Sequence, residues 1–228
     1  MTAPDGPPRP AGHRVERAGT GDADVLARVI AGAFSGLAVS QWLVPDPGTR
    51  RAILPGYFRI HVEHALAHGL VLTTPDRDAT ALWIPAGPGG PGEPPERYHG
   101  RLAAETGEHL ARFEALDEGL GRHHPAGVPH EHLAILAVRP DRQRLGIGTA
   151  LLNARHAILD RDGIPAYLEA SDPAKRDIYL THGYADLGGP IRLPGGPEML
   201  PMWRHPHQNG AGTGERCETT ADVHGYPP

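Results

Sequence analysis

Residues 132–138, HLAILAV, run almost without a polar break, and they lead directly into VRPDRQRLGIGTALL over 138–152. A nearly continuous apolar run of this length predicts a strand covered on both faces. The stretch 149–160 repeats its apolar residues as a helix does. The joint between the two is short and basic, with Gly146 and Gly148 two positions apart. A covered strand passing straight into a helix sets a mixed α/β frame, with helices packed on a sheet around one core.

The rest of the chain fills that frame. His13–Arg17 is a strand candidate, and a helix opens near Asp22 and runs to about Phe34. Ile53, Tyr57, Ile60, His64 and Ala67 return at helical spacing, predicting a helix over 50–68. Leu70–Thr73 and Thr80–Ile84 flank PDRDA, the mark of a hairpin turn. The Pro/Gly-rich run 86–95 is loop. Leu102, Leu110, Phe113 and Leu116 mark a helix over 96–120. A strand over 166–170, a short helix over 173–182 ending at Gly183, and a hairpin from 191–193 and 200–204 complete the pattern. No internal repeat is visible, and residues 13–205 are expected to form a single domain. Residues 1–12 read as a flexible leader, and 206–228, PHQNGAGTGERCETTADVHGYPP, as a disordered tail with little to bury.

Composition narrows the function classes. The formal charge is −5, so bulk electrostatics gives a nucleic-acid partner no support. No run approaches the roughly 20 apolar residues of a membrane span. The start, MTAPDGPPRP, lacks the apolar core of a secretion signal. Cys217 is the only cysteine, which excludes an internal disulfide and a cysteine-based metal cluster. A reducing, cytoplasmic setting fits. His123, His124 and His130 suggest a metal by residue type, but their spacing matches no standard motif, so no metal is expected.

Glycine lets a backbone approach a ligand closely, and the free amides of a helix's first turn attract anions. A phosphate suits the 143–148 turn, with Arg142 and Arg144 adding charge. A plain tight turn with solvated arginines accounts for the same residues. No Gly-Lys-Ser/Thr follows, which excludes a Walker loop, and three glycines as GxGxxG are missing, which weakens a dinucleotide reading.

Gln143-x-x-Gly146-x-Gly148 after Ala137-Val138 resembles the acetyl-CoA loop of the GCN5-related N-acetyltransferases (GNAT). Tyr167-Leu-Glu-Ala-Ser171 and Ile178-Tyr-Leu-Thr-His-Gly-Tyr184 extend the likeness, with Tyr184 in place of the commoner Phe. The firm part spans 131–184. Ala33-Phe34, Trp42 to Asp46, Val128–His132 and Gly196-Pro197 before Trp203 resemble the actinobacterial antibiotic-type members similar to puromycin N-acetyltransferase. The family implies an α/β fold: a mostly antiparallel twisted sheet with splayed central strands, flanked by helices. It implies acetyl-CoA as acyl donor and direct transfer to an amine.

The resemblance also distributes roles. Gln143, Leu145, Gly146, Ile147, Gly148 and Thr149 would hold the pyrophosphate, with charge from Arg142 and Arg144, and Arg176 would also contact the cofactor. Ala137 and Val138 would pair with the pantetheine arm like an added strand. Ser171 would contact it too, or cap the next helix. Tyr179 would protonate the leaving thiolate, and the Val138 amide would meet the developing oxyanion. Glu131, His132 and Glu169 are the candidate bases. Glu131 and His132 point to opposite faces of a regular strand, and Glu169 is a carboxylate in an apolar run that must be paired, wetted or functional. Trp42, Tyr57 and Trp83 either wall the acceptor or pack the core. The expected acceptor is a primary amine of a small molecule, such as an antibiotic or another natural product, acted on by a monomer or homodimer. A protein or peptide acetyltransferase and a non-catalytic acyl-CoA-binding module are the alternatives.

Overall fold

The computed structural model describes residues 13–90 and 92–207. The expected leader and residues 208–228 of the expected tail lie outside them. The elements are β1 (Glu16–Arg17), α1 (Ala23–Phe34), α2 (Ala38–Leu43), α3 (Pro47–His68), β2 (Leu70–Thr73), β3 (Ala79–Ala86), α4 (Tyr98–Thr106), α5 (Leu110–His123), β4 (His130–Val138), α6 (Ile147–Asp162), β5 (Ala166–Ala170), α7 (Pro173–Thr181), β6 (Ala185–Asp186), β7 (Ile191–Arg192) and β8 (Glu198–Arg204). The strands lie in the order β1-β2-β3-β4-β5-β8-β6, with β7 paired to β8. Every pair is antiparallel except β4–β5. This mostly antiparallel sheet with helices around it is the fold class expected from the resemblance.

Local chemistry sets the element ends. Asp46 Oδ2 accepts from the Thr49 amide at 2.6 Å, and Pro47 takes the first turn, so α3 starts before the expected Arg50. The helix expected over 96–120 is two helices. Gly107, at φ 53°, breaks it and a 3-10 turn over Gly107–His109 bridges the halves. The short helix α2 was not anticipated. At the β2–β3 hairpin, Arg77 binds Glu16 at 2.5 Å and Asp22 at 2.9 Å, which ties the tip to the N-terminal segment.

The central strand changes phase midway. Leu82 pairs with Ile135, and Trp83 with Leu133, so Ala134 has no partner on β3. One extra residue in a strand is a bulge, and it reverses which face the following side chains meet. Leu133 packs into the cluster around α6, whereas Ile135 and Ala137 pack into the cluster of α1, α3 and α5. A regular strand would place Leu133 and Ile135 on one face.

Two buried polar groups anchor the α6 face. Arg204, at the end of β8, grips Asp160 of α6 with two 2.7 Å bonds, and its Nε donates to the His182 carbonyl at 3.1 Å. The His207 amide also donates to Asp160, at 2.8 Å, so this residue of the expected tail is held to α6.

His156 is 5% exposed, beside Trp83, with Nε2 3.1 Å from the Tyr184 hydroxyl. Burial, reinforced by Arg204 and His182, lowers its pKa to about 3. The unfolded chain therefore takes up a proton near pH 6.5 that the folded chain refuses, and stability falls as pH drops from there toward 3. At pH 5 the linkage is about 2 kcal/mol. Urea unfolding of wild type and His156→Gln at pH 7 and pH 5 measures it; equal pH slopes for the two proteins would contradict it.

Candidate active site

The glycine-arginine turn sits where β4 hands the chain to α6. A 3-10 turn over Pro140–Arg142 leads into Gln143, then Arg144 at φ 62° and Gly146 at φ 83°. Gly146 precedes the first residue of α6 with no side-chain cap, and the first helical bond runs from the Ala150 amide to the Gly146 carbonyl at 3.0 Å. The amides of Ile147, Gly148 and Thr149 are thus left for an anion or water, at the positive end of a 16-residue helix. A Cβ on Gly148 would touch Val138 and Leu136 only at ordinary contact distances, 3.7 and 3.8 Å. The protein's own packing therefore does not require glycine at this position, and the backbone there is open to close approach. An uncapped helix start beside a glycine free of packing demands fits a pyrophosphate.

The expected arginines divide. Arg142 Nε is 2.9 Å from the buried carboxylate of Asp78. Arg176 binds Asp186 through two bonds of 2.6 and 2.5 Å. Arg144 has no carboxylate partner among the described residues, so it is the uncommitted cation of the turn. Gln143 donates its side-chain amide to the Val138 carbonyl at 3.0 Å, locking the turn to the end of β4. Leu145 is exposed, and its carbonyl lies 2.7 Å from His13 Nε2. Asp172, not Ser171, caps α7 by accepting from the Lys175 amide at 2.9 Å, and Ser171 Oγ bonds Asp172.

Beside this turn the two central strands part. β4 and β5 keep register only at Glu131↔Ala166 and His132↔Tyr167, yet β4 continues to Val138 and β5 to Ala170. The stretch from Leu133 to Val138, including Ala137, therefore lies beyond the last β5 pair. Parallel strands that separate in this way expose edge groups that an extended ligand can pair with.

The three candidate bases do not gather at one point. His132 Nε2 and Glu169 Oε2 meet at 2.9 Å just where the strands separate. Glu131 faces the other side of the sheet, where Arg155 of α6 holds it at 2.8 Å, so it is already neutralised. Burial pushes the Glu169 carboxyl up, but His132, joined by the Tyr167 hydroxyl and His124, outweighs this and leaves its pKa below the usual value. Because a carboxylate only accepts, His132 Nε2 carries the hydrogen of this bond.

Tyr179 lies on α7, partly buried against Tyr184 with ring centroids 5.7 Å apart. Burial, with Asp172 nearby, pushes its phenol pKa up, so it holds its proton through the neutral range. Its hydroxyl has no hydrogen-bond partner among the described residues. Tyr57 and Trp83 are buried in the core. Trp42 packs under the 194–196 loop, with its indole nitrogen 3.3 Å from the Pro194 carbonyl and a Cβ on Gly196 blocked at 2.8 Å.

Around the His132–Glu169 pair the fold collects side chains that sequence spacing did not connect. The His124 ring, just past α5, lies 4.9 Å from both His132 and Tyr167, and His130 stands against Trp203 at 5.1 Å. Sequence reading noticed His124 and His130 only as neighbours in the chain. Their meeting with a residue of β5 depends on strand pairing, and the alternation of β5 was the only available signal: Tyr167 and Glu169 are two apart.

Residues 102–186 match the family model described as the acetyltransferase (GNAT) domain. Among solved structures, the chain is similar to a histone acetyltransferase HPA2 and related acetyltransferase from Corynebacterium glutamicum, at 24% identity and TM-score 0.65, covering 87% of this chain and 98% of that one. It is also similar to PaiA N-acetyltransferase from Thermoplasma acidophilum in complex with coenzyme A, at 10% identity and TM-score 0.53, covering 84% and 98%. Arylalkylamine N-acetyltransferase 2 from Aedes aegypti matches at 12% identity and TM-score 0.53, covering 85% and 98%. At these identities the structures speak for the fold, and the family match speaks for the segment that holds β4, the glycine turn, α6, β5 and α7. Over residues 102–186 the chain is thus similar to the GNAT acetyltransferase domain, and its fold is that of the GNAT structures.

Proposed function

We propose that the protein is an acetyl-CoA-dependent N-acetyltransferase acting on a primary amine of a small molecule, with an antibiotic or another natural product as the acceptor class. The observation that carries the reading is the place of the His132–Glu169 pair: it stands where β4 and β5 part, on the strand whose far end feeds the uncapped start of α6. Acetyl-CoA, when bound, supplies the activated acetyl group. The free amides of Ile147–Thr149 and the Arg144 guanidinium would hold its pyrophosphate. The edge of β4 beyond His132 would align the pantetheine arm, and the Val138 amide is the donor assigned to the developing oxyanion.

An alkylammonium has a pKa near ~10, so the acceptor must lose a proton before it attacks. His132 and Val138 stand roughly 15–20 Å apart along β4, so Nδ1 of His132 would take that proton through bridging water, and Glu169 would stabilise the resulting imidazolium through Nε2–H. Tyr179, still protonated, is the donor assigned to the leaving group. A small acceptor is favoured because the end of α5 lies over the pair, with the His124 ring 4.9 Å from that of His132, where an extended peptide would need an open groove.

The test is a thiol-release assay with acetyl-CoA against libraries of small amines and peptides, with products identified by mass. Acetylated small amines support the reading; transfer to peptides alone moves the acceptor to the protein class, and coenzyme binding with no turnover makes the protein a binding module. A companion measurement addresses the donor site. Gly148→Trp fills the space over the first turn of α6, and coenzyme A affinity by calorimetry should fall at least about tenfold, or about 1.4 kcal/mol. Unchanged affinity in the folded variant would remove the pyrophosphate from this turn.

A further inference from the structure

We propose that His124, His132 and Glu169 form a binding site for a divalent transition-metal ion of the zinc type, with two imidazole nitrogens and one carboxylate oxygen as ligands and one position left open. One donor atom from each residue lies within 4.8 Å of the others. Ligands about 2.0–2.2 Å from one zinc ion stand roughly 3.3 Å apart, so a modest contraction brings all three onto a single ion. The side chains come from three separate places: the end of α5, the start of β4 and the middle of β5. Sequence spacing could not reveal such a set.

An independent observation points to a missing partner. The Glu169 side chain is 5% exposed and its Oε2 bonds His132, while its Oε1 and the neighbouring Tyr167 hydroxyl are both buried without a close hydrogen bond. Buried carboxylate oxygens are normally satisfied, because leaving one bare is costly. A cation at the cluster satisfies it. The surroundings also resemble the outer support that histidine ligands require. His130 Nδ1 lies 2.8 Å from the Val128 carbonyl, so Nδ1 carries the hydrogen and Nε2 accepts. His124 Nε2 is 3.1 Å from that acceptor and donates to it, which orients the His124 ring and leaves its lone pair on Nδ1. Tyr167 packs against both proposed histidine ligands, at 4.9 and 5.3 Å between ring centroids.

Two imidazoles with one carboxylate select zinc, cobalt or nickel over magnesium and calcium, which prefer all-oxygen sets. One consequence rests on the function proposed above: a bound ion occupies a nitrogen of His132 and takes Glu169 from its partner, so it opposes proton abstraction from the amine.

The experiment uses the full chain freed of metal by a chelator, without acetyl-CoA. Co²⁺ is added while the visible d–d absorption is followed, and Zn²⁺ affinity is measured by competition with a chromophoric chelator. One ion per chain should bind with a low-symmetry cobalt spectrum. His124→Ala and Glu169→Gln should each weaken zinc at least about tenfold. His123→Ala, whose ring contacts the Gly119 carbonyl, is the matched control and should bind as wild type. Folding of each variant is checked by urea unfolding, and if His124→Ala fails to fold, His124→Gln replaces it. Absence of stoichiometric binding overturns the proposal, as does binding that survives both ligand substitutions. These readouts need no turnover. A chain that binds zinc but acetylates nothing fails only the function reading, and one that acetylates amines but binds no zinc fails only this one.

Discussion

Tyr179→Phe is expected to lower the single-turnover rate of acetyl transfer about 100-fold or more, with little change in acetyl-CoA affinity. The substitution removes one oxygen and keeps the ring that packs against Tyr184, so α7 has no reason to move. The hydroxyl it removes is held protonated by burial and has no protein hydrogen bond to lose among the described residues. A defect confined to the chemical step persists at saturating amine and lowers kcat and kcat/KM together. Single-turnover measurement matters because slow product release masks a chemical defect in steady state. A wild-type rate in the variant would make Tyr179 a packing residue and send the leaving thiolate to water for its proton.

Asp160→Ala is expected to cost about 3–5 kcal/mol of folding stability, because it strands a buried guanidinium. The Arg204 side chain is 3% exposed and spends two nitrogens on Asp160. Its third bond, to the His182 carbonyl, fixes the end of α7, one turn beyond Tyr179. Urea unfolding at pH 7 measures the loss. The double variant Asp160→Ala/Arg204→Met removes both charges and should recover most of it, since an apolar pair of similar volume is tolerated where a lone charge is not. A single-variant loss below about 1 kcal/mol would mean that Arg204 finds water or another acceptor.

The segment between residues 131 and 184 was the most legible part of the fold. A covered strand, a glycine turn, a helix and a second strand with its short helix follow one another between residues 131 and 184, and each has a local signature. The helix over 96–120 was misread because its apolar marks continue on both sides of Gly107, where a positive φ breaks the backbone but not the apolar pattern. Helix α2 has six residues, too few for a 3.6-residue period to repeat. The face assignment of β4 escaped because a bulge leaves no mark in an apolar run: Ala134 looks like its neighbours until β3 is paired against it. Arginine roles were unreadable for another reason. Arg142 and Arg144 are equivalent in sequence, and only the fold brings Asp78 to one of them. His124, His132 and Glu169 likewise become neighbours only through the pairing of β4 with β5.

The sheet separates two apolar cores that share almost no side chains. One lies among α1 to α5, β7 and one face of β2–β4; the other lies among α6, β5, β8 and the opposite face. The glycine turn belongs to the second, and α2, α4 and α5 belong to the first. Substitutions in those helices therefore strain a core different from the one that seats the turn. On the function proposed above, such a partition decouples change of acceptor from loss of the acetyl-CoA site: lineages can alter α2, α4 and α5 while the turn stays folded and selected.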